Sequence, residues 1–194
     1  MYSSPLSRAV RTAQLVLEKQ GSTLPPAPSR SREGEQDGDA RSSSREGERS
    51  AAAQLRIETH PALAEIDHGE WSGLTKAQVA QRWPELAEQW RTHPAGVRMP
   101  NGESLLEVRD RALNFLASLR QRHADGDVLI VTHGTVLRLL LAHFIELRPD
   151  RIWSVEAENC ALSIVADHEL PLIMAINDTC HLEQVRSSLQ AQVR

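Results

Sequence analysis

Apolar and polar positions follow two kinds of pattern along most of the chain. Apolar residues at every third or fourth position predict amphipathic helices, and short continuous apolar runs predict strands that are buried on both faces. The helical pattern covers residues 7–20, 75–91 with a break at Pro84, 104–123 and 136–144. The strand pattern covers residues 55–59, 127–132, 160–166 and 172–176. Strands that alternate with helices indicate an α/β layered domain.

The strongest local signal marks the start of the helix predicted after residue 103. Ser104 and Glu107 have the S-x-x-E spacing of a capping box, and the turn-forming pair Asn101-Gly102 precedes them. The apolar residues that follow fall on one helix face: Leu105, Val108, Ala112, Leu116 and Leu119. We therefore expect this helix to pack one face against the core.

A stretch in the first third of the chain has neither pattern. Residues 25–54 contain no Val, Ile, Leu, Met, Phe, Trp or Tyr, and the sequence Ser-Arg-Glu-Gly-Glu occurs at 31–35 and again at 44–48. Such a composition cannot bury enough apolar surface to offset the entropy of ordering. We interpret residues 25–54 as a disordered low-complexity insertion in a single domain that spans residues 1–194. The alternative is a regulated or partner-binding loop.

Composition and charge exclude several classes of protein. The net charge of −4 argues against a nucleic-acid binder that relies on charge, and no apolar run approaches the roughly 18 residues of a membrane span. Cys160 and Cys180 cannot supply a four-ligand zinc site, and the eight histidines lack metal-ligand spacing. We expect no metal, cofactor, nucleic-acid partner or membrane. Without a credible signal peptide or a disulfide pattern, the cytoplasm is the expected location.

The first candidate for chemistry is a histidine at the end of an apolar run. His133 follows the predicted strand 127–132, and Gly134 opens the next helix. Ligands bind at the carboxyl ends of strands in open α/β sheets, and a helix N-terminus there attracts anions. Gly134 would permit close approach of the backbone to a ligand. The alternative interpretation is a structural histidine at a strand end.

The second candidate is an arginine near the start of the first predicted helix. Arg8 follows Ser3-Ser4-Pro5 and occupies the first turn, where a cation opposes the helix dipole. A residue that violates a local preference is a candidate for binding an anion. The alternatives are a solvated surface arginine and a transit peptide, because the first 17 residues contain Arg8 and Arg11 but no acid.

The third candidate is an acidic turn between apolar positions and a tryptophan. Glu65, Asp67 and Glu70 lie within the sequence Leu-Ala-Glu-Ile-Asp-His-Gly-Glu-Trp. A carboxyl group beside a bound phosphoryl group could donate a proton near neutral pH. Composition alone does not choose among the three acids, and a solvated acidic loop is the simpler interpretation.

Four segments together carry a family resemblance. SSPLSRAVRTA, LAEIDHGEWSGLT, PNGES followed by a helix, and VLIVTHGTVLRLLL occur in this order. From residue 2 to about residue 165 the chain resembles the histidine phosphatase superfamily, the phosphoglycerate mutase-like proteins. The resemblance implies a three-layer α/β/α fold with a mostly parallel sheet. It also implies metal-independent phosphoryl transfer through a phosphohistidine, with a small phosphorylated metabolite as substrate.

The resemblance also implies roles for particular residues. Arg8 matches the arginine that grips phosphoryl oxygens, and His133, with Gly134 beside it, matches the histidine that binds and stabilises the transferring group. Glu65 matches the carboxyl group that protonates the leaving group, which places it ahead of Asp67 and Glu70. The catalytic residues expected in this chain are therefore Glu65 and His133.

The chain departs from the family pattern at its front. The family's nucleophile lies in an Arg-His-Gly segment before the SSPL motif, and no Arg-His-Gly occurs in the 194 residues. We expect the first strand and first helix of the family fold to be missing, so that this N-terminally truncated chain is inactive as a phosphomonoesterase. The alternatives are a phosphoglycerate mutase and a non-catalytic relic that binds phosphorylated ligands.

Overall fold

The computed structural model describes residues 1–20 and 56–183 of the chain. The predicted insertion at residues 25–54 lies outside the described residues. The helices are α1 (Ser7–Gln20), α2 (Lys76–Arg82), α3 (Pro84–Thr92), α4 (Leu105–Arg122) and α5 (Gly134–Phe144). The strands are β1 (Tyr2–Ser3), β2 (Glu58–Thr59), β3 (Ile130–Val131), β4 (Leu162–Ala166) and β5 (Leu172–Asp178).

A parallel sheet of three short strands lies at the centre of the fold. β1 is the middle strand and pairs in parallel with β2 on one side and with β3 on the other. The N–H of Tyr2 donates to the carbonyl of Leu129 at 2.8 Å, and the N–H of Ser4 donates to the carbonyl of Val131 at 2.9 Å. The predicted α/β class with a parallel sheet is confirmed.

The strand predicted at residues 127–132 is much shorter in the structure. β3 covers Ile130–Val131, both residues are only half-buried, and Val128 is 37% exposed. The prediction of a long strand buried on both faces is therefore wrong. The ladder is short because β1 has only two residues: Tyr2 pairs with Ile130 and Ser3 pairs with Val131, so residues 127–129 have no paired residue in β1.

The other predicted strands also differ from the structure at their ends. β2 covers the last two residues of the predicted segment 55–59, and residue 55 lies outside the described residues. β4 begins at Leu162 because Cys160 lies in a turn with a left-handed φ of 60°. β5 continues beyond residue 176 to Asp178, and β4 pairs with it in an antiparallel, two-stranded sheet of its own.

Helix α4 contributes six buried apolar residues to the core, and five of them form the predicted face. The capping box is present, with the Ser104 hydroxyl accepting from the N–H of Glu107 and the Glu107 carboxylate accepting from the N–H of Ser104. All five apolar residues of the predicted face are buried: Leu105, Val108, Ala112, Leu116 and Leu119. One end of this face packs on Val136 and Leu139 of α5, and the other end packs on Tyr2 of β1.

Four tryptophans form a chain of ring contacts on one side of the core. Trp71 lies 6.4 Å from Trp83 and 6.0 Å from Trp90, and Trp90 lies 5.3 Å from Trp153 between ring centroids. Trp83 separates α2 from α3, as expected from the break at Pro84. The buried indole N–H of Trp71 has no hydrogen-bond partner among the described residues.

The β4–β5 hairpin packs loosely by comparison. Apolar side chains along both strands remain about half exposed: Leu162, Ile164, Leu172, Met174 and Ile176.

Among the helices of the described residues, none combines the length and apolar character needed to cross a bilayer.

Candidate active site

The imidazole of His133 is held at the end of β3 by a buried serine. His133 is the residue before the first turn of α5, and its Nε2 lies 2.8 Å from the hydroxyl oxygen of Ser4. Ser4 is fully buried, and its hydroxyl oxygen also accepts from the N–H of Leu6 at 3.2 Å. The side chain of His133 does not cap α5. The ring is therefore fixed by the turn that leads from β1 into α1.

Arg8 projects from the first turn of α1 close to this histidine. Its side chain is exposed, and no carboxylate within residues 1–20 and 56–183 lies within ion-pair distance of its guanidinium. An arginine that has no ion-pair partner among these residues and lies close to a helix N-terminus is suited to hold an oxyanion by paired hydrogen bonds.

The electrostatic surroundings of His133 favour its neutral form. Partial burial lowers the pKa of His133 below its ordinary value, the charges of Arg8 and Arg111 lower it further, and Glu65 opposes them. A bound dianion would reverse the effect of these cations, because a negative charge stabilises the imidazolium. The arrangement can therefore take up a proton on the imidazole when a phosphoryl group binds.

Glu65 is the acid that the structure places beside His133. One carboxylate oxygen accepts from the N–H of Ile66 at 2.9 Å, and the other lies 3.5 Å from the N–H of Thr135 in the first turn of α5. The carboxylate therefore lies at the helix N-terminus where an anion is expected to bind. The distance of 3.5 Å marks a weak hydrogen bond that a ligand could displace.

The two rival acids serve the structure of their own loops. The Asp67 carboxylate accepts from the N–H of Gly69 at 2.9 Å, and the Glu70 carboxylate accepts from the side-chain amide of Asn101 at 2.7 Å. Both side chains belong to exposed residues. The geometry thus separates Glu65 from Asp67 and Glu70, which the acidic composition of the turn does not.

Gly134 lies where a larger residue would be crowded. A Cβ atom at this position would lie 3.1 Å from a terminal guanidinium nitrogen of Arg138, so that side chain would have to move. The backbone approach to a ligand that the sequence suggests stays a prediction. The observed constraint instead comes from Arg138, which donates to the carbonyl of Val155 at 2.8 Å.

Sequence reasoning missed three residues of this region. Ser4 contacts His133 directly, while Arg111 and Glu103 form an ion pair next to Glu65. A signal for Arg111 exists, because it is a cation between the buried positions Val108 and Ala112 on the core side of α4. A charged residue at the edge of a buried helix face usually has a specific partner.

Positive charge and hydrogen-bond donors make the site suited to phosphate. Arg8, His133, the N-terminus of α5 and Glu65 converge at the end of the parallel sheet, and Arg111 lies close enough to influence His133. Within the described part of the chain, no group of three or more His, Cys, Asp or Glu side chains could hold a metal ion.

Comparison with known families agrees with this geometry. Residues 45–179 match the model of the histidine phosphatase superfamily (branch 1). The match covers more than half of the chain, and the protein therefore belongs to the histidine phosphatase superfamily.

The curated relatives carry two kinds of name. Phosphoserine phosphatase 1 of Hydrogenobacter thermophilus is 31% identical over 132 residues, covering 68% of this chain and 63% of the relative. A 2,3-bisphosphoglycerate-dependent phosphoglycerate mutase of Bartonella quintana is 33% identical over 158 residues, covering 80% of this chain and 62% of the relative. The chain thus spans less than two thirds of the length of either relative.

Solved structures show the same fold. Bacillus stearothermophilus YhfR superposes with a TM-score of 0.70 at 27% identity, covering 94% of this chain and 75% of that structure. A mycobacterial glucosyl-3-phosphoglycerate phosphatase in complex with inorganic phosphate superposes with a TM-score of 0.66 at 21% identity. This superposition covers 92% of this chain and 76% of that structure.

Proposed function

We propose that this chain supplies the phosphate-binding and proton-donating groups of a metal-independent phosphomonoesterase of the histidine phosphatase type. Its substrate is a small phosphorylated metabolite. The observation that carries the proposal is the convergence of Arg8, Glu65 and His133 on the N-terminus of α5, at the carboxyl end of β3. The charges of Arg8 and Glu65 both act on His133, although the three residues lie far apart in sequence.

Each residue has a distinct part in the proposed reaction. The guanidinium of Arg8 binds phosphoryl oxygens, and His133 donates a hydrogen bond that stabilises charge on the transferring group. Glu65 gives a proton to the leaving alkoxide. The attacking group is a histidine, which becomes phosphorylated as the alkoxide leaves. Water then hydrolyses the phosphohistidine and releases inorganic phosphate. The 194 residues contain no Arg-His-Gly segment, so we propose that this polypeptide alone binds phosphate without turnover.

Phosphate binding tests the proposal directly. Titration calorimetry of the 194-residue polypeptide with inorganic phosphate should give saturable binding that Arg8→Met and His133→Gln each weaken about tenfold or more. Arg11→Met is the matched control, because Arg11 lies on the same helix and faces Glu18 at 3.6 Å. Equal binding by all these variants would contradict the proposed site. Detection of a phosphohistidine on this polypeptide would contradict the absence of turnover.

A second function is favoured by the names of several relatives. Phosphoglycerate mutases from Gloeobacter violaceus and Bartonella quintana match the chain at 33% identity. A mutase would return the phosphoryl group to the same class of acceptor, whereas a phosphatase gives it to water. The longest open reading frame that contains this sequence should be assayed for release of inorganic phosphate and for isomerisation of 3-phosphoglycerate. Isomerisation without phosphate release would replace the phosphatase proposal.

A further inference from the structure

Arg111 reaches from α4 into the loop that carries Glu65. We call residues 62–67 the acid loop. One terminal nitrogen of the Arg111 guanidinium donates to the carbonyl of Ala62 at 2.6 Å, and the other lies 3.4 Å from the carbonyl of Glu65. The Arg111 side chain is only 21% exposed. One planar group therefore contacts both ends of the four residues that finish at Glu65.

Glu103 contacts the acid loop on the C-terminal side of Glu65. Its carboxylate pairs with Arg111 through two hydrogen bonds of 2.9 and 3.0 Å. The same carboxylate accepts from the N–H of Asp67 at 2.9 Å, and the backbone N–H of Glu103 donates to the carbonyl of Asp67 at 2.8 Å. The Arg111–Glu103 pair thus contacts the backbone on both sides of Glu65.

Fixing this backbone also fixes the carboxylate of Glu65. The side chain of Glu65 accepts from the N–H of Ile66, so its orientation follows the backbone of the acid loop. A further bond runs from the hydroxyl of Thr132, next to His133, to the carbonyl of Leu63 at 2.8 Å. The acid loop is therefore tied both to α4 and to the strand that presents His133.

We infer that Arg111, held by Glu103, is a positioning residue that sets the distance between the Glu65 carboxylate and His133. The inference rests on the proposed function in that Glu65 is taken as the proton donor of the reaction. Arginine suits the task because its rigid guanidinium has three nitrogens, which reach the carboxylate and the two carbonyls at once. Lysine keeps the charge but cannot make this set of bonds.

The test measures how strongly Glu65 acts on His133. The pKa of His133 is measured by NMR titration of its ring signals in the 194-residue polypeptide. Glu65→Gln removes a negative charge that raises the pKa of His133, so the pKa should fall in the wild-type background. In the Arg111→Lys background the same substitution should lower the pKa by about half as much or less. The charge at position 111 is unchanged in this comparison.

A matched control and a second variant complete the design. Arg109→Lys changes an arginine on the same helix that bonds to neighbouring Asp110, so the effect of Glu65→Gln should keep its full size there. Glu103→Gln removes the ion-pair partner and should reduce the effect as Arg111→Lys does. It also serves as the test if Arg111→Lys does not fold. An undiminished effect of Glu65→Gln in the folded Arg111→Lys or Glu103→Gln protein overturns the inference.

This readout is independent of phosphate binding. If the polypeptide does not bind phosphate but the coupling between Glu65 and His133 depends on Arg111, the proposed function fails and the positioning role stands. If phosphate binds as proposed but the coupling does not depend on Arg111, the proposed function stands and the positioning role fails.

Discussion

The acid loop and the β4–β5 hairpin are held in place by different means. The acid loop is fixed by hydrogen bonds to its backbone from Arg111, Glu103 and Thr132, and half of its six residues are buried. The hairpin is fixed by its own ladder, and apolar side chains such as Met174 remain about half exposed. The acid loop is therefore positioned by directional contacts from other elements. The hairpin is positioned by its own strand pairing and by the ion pair between Asp167 in its turn and Arg120 of α4.

Two glycines show how closely the first region is packed. A Cβ atom on Gly69 would lie 2.1 Å from the carbonyl oxygen of Pro100, and one on Gly102 would lie 2.4 Å from the carbonyl oxygen of Asp67. The loop after Ile66 and the loop before Ser104 therefore contact each other backbone to backbone. Residues that place a proton donor must be held to a fraction of an ångström, and such contacts provide that precision.

The largest expected effect is from Gly69→Ala. The residue has a φ of 50°, and the new Cβ would collide with backbone, so we expect a loss of about 4 kcal/mol of the free energy of unfolding. Gly73→Ala is the control, with a φ of 76° and no atom within 4 Å of the added Cβ. We expect it to cost about 1 kcal/mol. Equal losses in urea denaturation would show that the two loops can separate without cost.

A second pair of variants compares a core residue of α4, next to the loops that contain Gly69 and Gly102, with a residue of the hairpin. Leu105 is fully buried at the start of α4, and Leu172 is 55% exposed at the start of β5. Leu105→Ala should cost about 3 kcal/mol because it leaves a cavity. Leu172→Ala should cost less than about 0.5 kcal/mol. A large loss at Leu172 would mean that the exposed face of the hairpin is covered in solution.

A third pair compares two serine hydroxyls that accept backbone hydrogen bonds. Ser104 caps α4, and Ser163 accepts from the N–H of Asn177 at 3.1 Å across the hairpin. Ser104→Ala should cost about 1 kcal/mol, since a helix N-terminal donor loses its partner. Ser163→Ala should cost about half as much, because it removes one hydrogen bond, whereas the Ser104 hydroxyl also bonds to the Glu107 carboxylate. Thermal unfolding followed by circular dichroism measures both, and a larger loss at Ser163 would reverse the ranking.

The smallest expected effect is a dependence of stability on pH. Burial and Arg8 lower the pKa of His133 in the folded protein, so the unfolded chain binds more protons just below the ordinary histidine value. The free energy of unfolding should therefore fall as the pH decreases through about 6.5. His133→Gln should remove this contribution, measured as the difference between urea titrations at pH 8 and pH 5.5. An unchanged pH dependence in the variant would contradict the lowered pKa.

Helices were more predictable from this sequence than strands. The pattern over residues 7–20 matches α1, and the capping box places the start of α4 correctly. These signals are local, because a helix completes its hydrogen bonds within itself. The length of β3 depends instead on a partner, β1, that lies more than 120 residues away and has only two residues.

The part of the candidate site that could be predicted consists of the charged or ionisable residues that lie within recognisable motifs. Arg8, Glu65 and His133 are found together in the structure, which the order of the four segments suggests. Arg111 was not found, because its place at the edge of the buried face of α4 signals a partner without identifying it, and its bonds to Ala62 and Glu65 join residues 49 and 46 positions apart. Glu103 was missed for the same reason: its contact with Asp67 joins residues that lie far apart in sequence, and the adjacent capping box gives no sign of it.

The row of tryptophans gives the protein a local optical reporter. Trp71, Trp83, Trp90 and Trp153 are neighbours on one side of the core, and these are all the tryptophans of the chain. The segment 160–183, which contains the β4–β5 hairpin, has no tryptophan, tyrosine or phenylalanine. Intrinsic fluorescence therefore records the melting of the packed core around α2 and α3, while an opening of the hairpin passes without a signal.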